Sequence, residues 1–564
     1  WDDLWLNEGF ASWTQTYAAD ILFPEWGMWE QFTVDDQSSA LRLDSLKTSH
    51  PIQVPIAHAE EVEQVFDAIS YCKGACVVKM LHAVLGHDHF RQGLQASLSL
   101  AYMEKHKYSN TETYDLWNAW SEVSGRDIGQ LMRSWTEQMG HPMIKVTKET
   151  WTPTSVTLEL QQSWFLADGS EPEKGEAQLW TVPLLVSTGS GEKKAEVELM
   201  TEETYILEAS CRNFEGDWVK INAGQHTLMR VLYTPEMMRR LEAGLRDRSI
   251  DPSDRAGLIS DSYALVKAGH MGAEQLVHLL PAFKNEDNST VWMAIEGVLV
   301  GLDKVLIADE VMHKRFTDMV AKLLAPVAKR VGWNPSRRDG HSGKLLRATV
   351  IGLLGRFSSD LPEVKEQATE RFLAHVANPK EQVALPSEYA VPVYKVALKN
   401  GGKVEFRMLM SILEACETDA ERKQVYSAIG FCPTEDLKCR VLEWAVSEVK
   451  LQDFFYPLLS VASSNKLGRD LTWEFFQKNF ERIKGMLANA SPSLMNAVIM
   501  YCCSFFTEKA KMEEVRVFFE RNPLPNSTRK ISQMLESMEI SVEFYKKIAS
   551  SPLATGEFWN NLQV

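Results

Sequence analysis

The sequence predicts a mainly α-helical chain interrupted by one β-rich segment. Three observations predict it. Residues 1–140 carry apolar side chains at three- and four-residue spacing, the signature of amphipathic helices. Residues 141–233 change texture to short alternating runs separated by turn-rich pieces. Residues 234–564 return to helical spacing and keep it. A chain of 564 residues is long enough for several domains.

The first helical segment opens on WDDLWLNEGF. Trp5, Leu6, Phe10, Ala11 and Trp13 form an apolar helical pattern with one carboxylate, Glu8, inside it. Further along, SYCKGACVVKMLHAVLG places Val77, Met80, Leu81, Val84 and Leu85 on one face, and Gly86 is a plausible C-cap. LWNAWSEVSG and IGQLMRSWTEQMG are further short helices, the second ending at Gly140 before His141-Pro142. In the β-rich segment SVTLEL alternates, and TVPLLV, AEVELM, TYILEA and DWVKIN follow. ADGSEPEKGE and STGSGEKK punctuate them. This pattern predicts an antiparallel β-sandwich of roughly ninety residues, closing near Arg230–Tyr233. Beyond it, MMRRLEAGL, RAGLISDSYALVKAG, SEYAVPVYKVALKNG, ERKQVYSAIG and LKCRVLEWAVS read as helices joined by short polar turns. Paired helices of this kind resemble a HEAT-like α-solenoid. No strict period is visible, so the expectation is an irregular array.

Composition narrows the function. Hydrophobic residues make up 45% and charged residues 24%, ordinary for a globular protein. The formal net charge of −16 argues against a nucleic-acid partner, which needs clustered Lys and Arg. No apolar run is long enough to span a membrane. Eight cysteines without a framework of spacings favour free thiols and a reducing, cytoplasmic setting. Neither a glycine-rich phosphate loop nor a G-x-S-x-G elbow occurs.

Three groups of residues could carry chemistry. Glu8 is a carboxylate among apolar side chains, so it must be paired, protonated or bound to a metal. The plain alternative is a salt bridge to Arg or Lys. Tyr71 lies in FDAISYCKGA, where a neutral phenol could stabilise an oxyanion without charging the site. The plain alternative is a core tyrosine with a satisfied hydroxyl. His82, His87 and His89 cluster in LHAVLGHDHF, but Gly86 separates them and no H-x-x-x-H spacing results. They are expected not to bind metal.

Several of these stretches also resemble a known family. LWLNEGFASW is similar to the segment of the M1 (gluzincin) zinc aminopeptidases that carries the third zinc ligand, and FDAISYCKGA to the segment with the catalytic tyrosine. Ser49-His50-Pro51-Ile52, YMEKHKYSNTETYDLW, SWTEQMGHPMIKV, DWVKINAGQHTLMRVLY and DRAGLISDSYALVKAG resemble further family segments. One departure is clear: Thr227-Leu228-Met229-Arg230 stands where the family usually has Gly-Phe-Tyr-Arg. The flavour is that of the puromycin-sensitive, cytosolic branch. The resemblance implies an aminopeptidase acting on peptide substrates, with one Zn2+ in the intact enzyme. It makes Glu8 the metal ligand, Tyr71 the catalytic phenol and Phe66 a wall of the substrate side-chain pocket. It implies that residues 1–140 are the helical second half of a thermolysin-like catalytic domain, 141–233 the β-sandwich domain and 234–564 the HEAT-like helical domain.

The family's two histidine ligands and general base lie in an H-E-x-x-H motif upstream of the position matching Glu8. No such motif occurs in this sequence. The chain alone is therefore expected to be inactive, a single carboxylate being too few ligands to hold zinc tightly. The resemblance implies the missing N-terminal portion of the same enzyme as a partner. A non-catalytic α-solenoid and β-sandwich module for peptide capture or assembly is the second reading. The residues encoded upstream of Trp1 separate the two.

Overall fold

The computed structural model describes every residue except 95–101, 173–174, 192–196, 212–215, 338 and 381–384. The chain divides into two compact units, residues 1–283 and 284–564. It is mostly helical, with a small sheet region.

The first unit begins with the helix Trp5–Leu22. Trp5, Gly9, Trp13 and Thr16 are its buried residues, a spacing of four, four and three that defines one inward face. After a 3-10 turn at Pro24–Trp26, Met28–Phe32, a π-helical turn at Thr33–Gln37 and Ser38–Asp44 run on from one another. A second π-helical turn, Ile69–Lys73, runs straight into the long helix Gly74–Leu94. Gly86, whose φ of 74° and ψ of 162° are not helical, divides that span into two helices, the end the sequence predicts there. Thr113–Ser124 is started by Asp115, which accepts the Glu112 N–H at 3.0 Å, and stopped by Gly125 in the left-handed region. Ile128–Thr136 is capped by Asp127, which accepts the Gln130 N–H at 2.9 Å.

Eight strands follow: β1 (Pro142–Trp151), β2 (Ser155–Trp164), β3 (Val182–Leu184), β4 (Val186–Thr188), β5 (Glu198–Met200), β6 (Thr204–Ser210), β7 (Val219–Ile221) and β8 (Arg230–Leu232). Four form a sheet in the order β6-β2-β1-β8, and β3-β5 and β4-β7 form two separate pairs. In β2, Val156, Leu158, Leu160, Gln162 and Trp164 point inward on alternate positions. The sheet is not wholly antiparallel as expected: β8 runs parallel to β1, Met143 facing Arg230 and Lys145 facing Leu232. A parallel neighbour needs a long connection, and here the chain between β1 and β8 supplies it with the other six strands. Helices Pro235–Arg246, Pro252–Ala268 and Ala273–Leu279 complete this unit.

The second unit is an array of helices from Ser289–Leu306 to Gly556–Asn561. Asn288, Asp309, Thr418, Thr434 and Asn465 cap helix starts with their side chains, and Pro362 and Pro492 occupy first turns. One core cluster of this unit includes Val393, Leu409, Val441, Leu458, Trp473, Phe476, Val498 and Met534. Alternate helices pack side by side: Ser289–Leu306 on His341–Phe357, and His341–Phe357 on Ala390–Asn400. The first helix of the unit, Ser289–Leu306, also packs on the last long one, Thr528–Ala549. Near that contact Arg315 donates to the Ala554 carbonyl at 3.4 Å.

Candidate active site

Glu8 and Tyr71 meet because two helices cross at glycines. The Trp5–Leu22 helix carries Glu8 next to Gly9, and the Ile69–Lys73 turn carries Tyr71 just before Gly74. At this crossing a Cβ on Gly9 would lie 2.8 Å from the Gly74 carbonyl carbon and 2.9 Å from its Cα. A Cβ on Gly74 would lie 3.1 Å from Gly9 Cα. No larger residue at position 9 allows the backbones to pass this closely. Glu8 and Tyr71 are both half-buried. The Glu8 carboxylate is close enough to act on the Tyr71 hydroxyl. Burial first, then hydrogen bonding to Glu8 and the negative charge of Glu8, hold the phenol above its ordinary range. Tyr71 is thus kept neutral as a hydrogen-bond donor.

The turn that carries Tyr71 is held from several sides. Ser70 Oγ donates to the Val65 carbonyl at 2.6 Å. Asp67 Oδ1 accepts the Ile69 N–H at 2.8 Å, and its other oxygen contacts His50 Nε2 at 3.0 Å. Lys73 is fully buried and pairs with the fully buried Asp44 at 2.8 Å. The same ammonium donates to the Gly140 carbonyl at 3.1 Å, while Asp44 Oδ1 accepts the Gly140 N–H at 2.8 Å. One ion pair therefore ties the Tyr71 turn to the entry into β1. Cys72 faces Asp36 in the other π-helical turn, and burial, with the Asp36 carboxyl next, pushes its thiol up to about 12. Phe66 is 44% exposed, and its ring centre lies 6.4 Å from that of Tyr71.

The three histidines expected not to bind metal lie on either side of Gly86. His82 and His87 have ring centres 5.9 Å apart within an aromatic cluster of Trp13, Tyr17 and Phe90. His89 Nδ1 faces the Leu85 carbonyl at 3.3 Å. Among the described residues, no group of three or more His, Cys, Asp or Glu could hold a metal ion. Glu8 has the right donor chemistry for zinc, but the described residues do not by themselves complete a zinc site.

Two features of this region escape sequence reasoning. The lysine of KGA gives no hint that its partner is Asp44, a long-range pair with no periodic signal. The same holds for His50 and Asp67, which stand in two separate stretches. The departure at Thr227-Leu228-Met229-Arg230 is accommodated. Thr227 Oγ1 donates to the Pro183 carbonyl at 2.8 Å, Met229 is buried, and Arg230 pairs with Asp261 at 2.9 Å.

Comparison with known proteins decides the family. Residues 1–135 match the Peptidase family M1 domain, and residues 218–540 match the ERAP1-like C-terminal domain. The chain belongs to peptidase family M1. This M1 chain is 32% identical to Aminopeptidase M1-B of Oryza sativa subsp. japonica, over 98% of its own length and 62% of that protein. It is 28% identical to the alanine/arginine aminopeptidase of Saccharomyces cerevisiae, over 97% of its length and 61% of that protein. It is 28% identical to the puromycin-sensitive aminopeptidase of Caenorhabditis elegans, over 96% of its length and 56% of that protein. The M1 chain thus spans about three fifths of the curated relatives it matches. No helix among the described residues is long and apolar enough to cross a membrane.

Proposed function

We propose that this chain is part of a zinc aminopeptidase that releases N-terminal residues from peptides, and that alone it is inactive. The observation that carries this reading is the convergence of Glu8 and Tyr71 at the Gly9–Gly74 crossing, in a chain of family M1. Glu8 would be one of three protein ligands to Zn2+, which supplies the Lewis acid when bound. The two histidine ligands and the general base lie outside this sequence. Tyr71, kept neutral, would donate a hydrogen bond to the oxyanion that develops on the attacked peptide carbonyl. Phe66 would wall the pocket for the side chain of the released residue.

In this reading, residues 1–140 are the second half of a thermolysin-like catalytic domain. Residues 141–233 form a β-sandwich domain and 234–564 a HEAT-like helical domain. A cytoplasmic location, peptide partners and the absence of nucleic-acid or membrane partners follow the same reading. The puromycin-sensitive relative and the net charge of −16 support it.

A peptidase assay with added Zn2+ on this chain is expected to show no hydrolysis above blank, and robust turnover overturns its inactivity. Joined to an upstream segment bearing H-E-x-x-H, the protein is expected to cleave N-terminal residues. There Tyr71→Phe should lower kcat by about 10²–10³-fold with little change in KM. An unchanged kcat overturns the role of Tyr71.

A further inference from the structure

We propose that His50 and Asp67 are positioning residues, forming a side-chain clamp that aims the Tyr71 hydroxyl toward Glu8. The inference rests on the reading of Tyr71 given above. Asp67 controls the start of the Tyr71 turn with three of its atoms. Its Oδ1 accepts the Ile69 N–H at 2.8 Å, and its backbone carbonyl accepts the Tyr71 N–H at 3.2 Å. Its Oδ2 contacts His50 Nε2 at 3.0 Å. Asp67 is thus bonded at once to two amides of the Tyr71 turn and to His50.

His50 is built to hold that carboxyl in place. Its side chain is only 5% exposed. Nδ1 is fixed at 2.7 Å from the carbonyl of Pro51, a residue whose own φ is locked, so both ring nitrogens are engaged. A local stabiliser needs only the contact between Asp67 and Ile69. The added bond to His50, across the chain from another segment, fixes the orientation of the carboxyl as well as its presence. The turn itself is wider than an α-helix: the Ala68 carbonyl accepts from both Cys72 at 3.0 Å and Lys73 at 2.8 Å. Such a π-helical turn is a costly conformation that needs outside support. Released from the clamp, it would relax toward ordinary helix, and the tyrosine would swing away from Glu8.

The test uses this chain with 3-fluorotyrosine at position 71. The 19F resonance reports the surroundings of the ring, and amide hydrogen exchange reports the turn that carries it. No metal or turnover is needed. His50→Ala should change the resonance and speed exchange of the Tyr71 amide, which donates to the Asp67 carbonyl. His50→Gln, whose amide can still donate to Asp67, should restore both. Circular dichroism confirms that each variant is folded. If His50→Ala does not fold, Asp67→Asn replaces it, with a smaller change in the same direction expected. A folded variant whose resonance and Tyr71 amide exchange equal those of wild type overturns the clamp. An active Tyr71→Phe enzyme would instead overturn the catalytic reading and leave these two readouts untouched.

Discussion

Replacing Gly9 with alanine should force two helices apart at the centre of the candidate site. The added methyl would stand 2.8 and 2.9 Å from Gly74 backbone atoms and 3.1 Å from the Ala75 nitrogen. Comfortable contacts between carbon atoms are about 3.5–4.0 Å, so the crossing must open by roughly 0.6–1 Å. Backbone atoms cannot rotate out of the way as a side chain can. Overpacking of this kind costs about 1–3 kcal/mol. Alanine in a helix regains about 0.5–1 kcal/mol over glycine. The net expectation is a destabilisation of about 0.5–2 kcal/mol confined to the first unit. Gly297 provides the control. It lies in the Ser289–Leu306 helix, where an added Cβ would meet nothing within 4 Å. Gly297→Ala should therefore stabilise its helix by about 0.5–1 kcal/mol. Hydrogen exchange followed by mass spectrometry assigns each change to its own helix, so the two units need not unfold together. Gly9→Ala should speed exchange across the Trp5–Leu22 and Gly74–Leu94 helices. A Gly9→Ala chain as protected as wild type would refute the crossing as the feature that sets Glu8 beside Tyr71.

Other consequences can be measured on the same chain. Asp44→Asn leaves the buried Lys73 ammonium without its counter-charge and should cost about 3–5 kcal/mol in denaturant unfolding. Burial lowers the Lys79 ammonium to about 8, although it donates to the Gln225 carbonyl at 3.1 Å. Between about pH 8 and 10.5 the unfolded chain therefore binds more protons at this position than the folded one, so this lysine makes stability rise with pH across that window. Lys79→Met should remove that part of the slope, and an unchanged slope in pH-dependent unfolding would count against it. All eight cysteines are free, and Cys439 is the exposed one. Iodoacetamide under native conditions should label Cys439 first and reach Cys76, Cys502 and Cys503 only after unfolding, as peptide mass mapping would show.

Much of this was legible in the sequence, and the boundary has a physical basis. Helix and strand patterns are local, so Trp5, Trp13 and the alternating residues of β2 announced their inward faces. Glu8 and Tyr71 stood out because their surroundings are short contiguous motifs. The break at Gly86 was also visible: its left-handed φ ends one helix and a second begins after it. What was hidden depends on pairs distant in the chain. Nothing in N-E-G or K-G-A says that these two glycines touch. Lys73 and Asp44 show no common period, and neither do His50 and Asp67. The parallel pairing of β8 with β1 is likewise a property of topology, since a strand's own pattern does not fix the direction of its neighbour.

The meeting of the first and last long helices in the second unit carries a cost for evolution and for engineering. An open array can gain or lose a helix pair at either end and keep its remaining contacts. Here Ser289–Leu306 rests on Thr528–Ala549, so these two helices are tied across the row. An inserted pair would pull that seam apart, and a shortened C-terminus would bare apolar residues of the opening helix. Such a unit should keep its helix number while its turns vary freely, and it must bring together segments more than two hundred residues apart before it is finished.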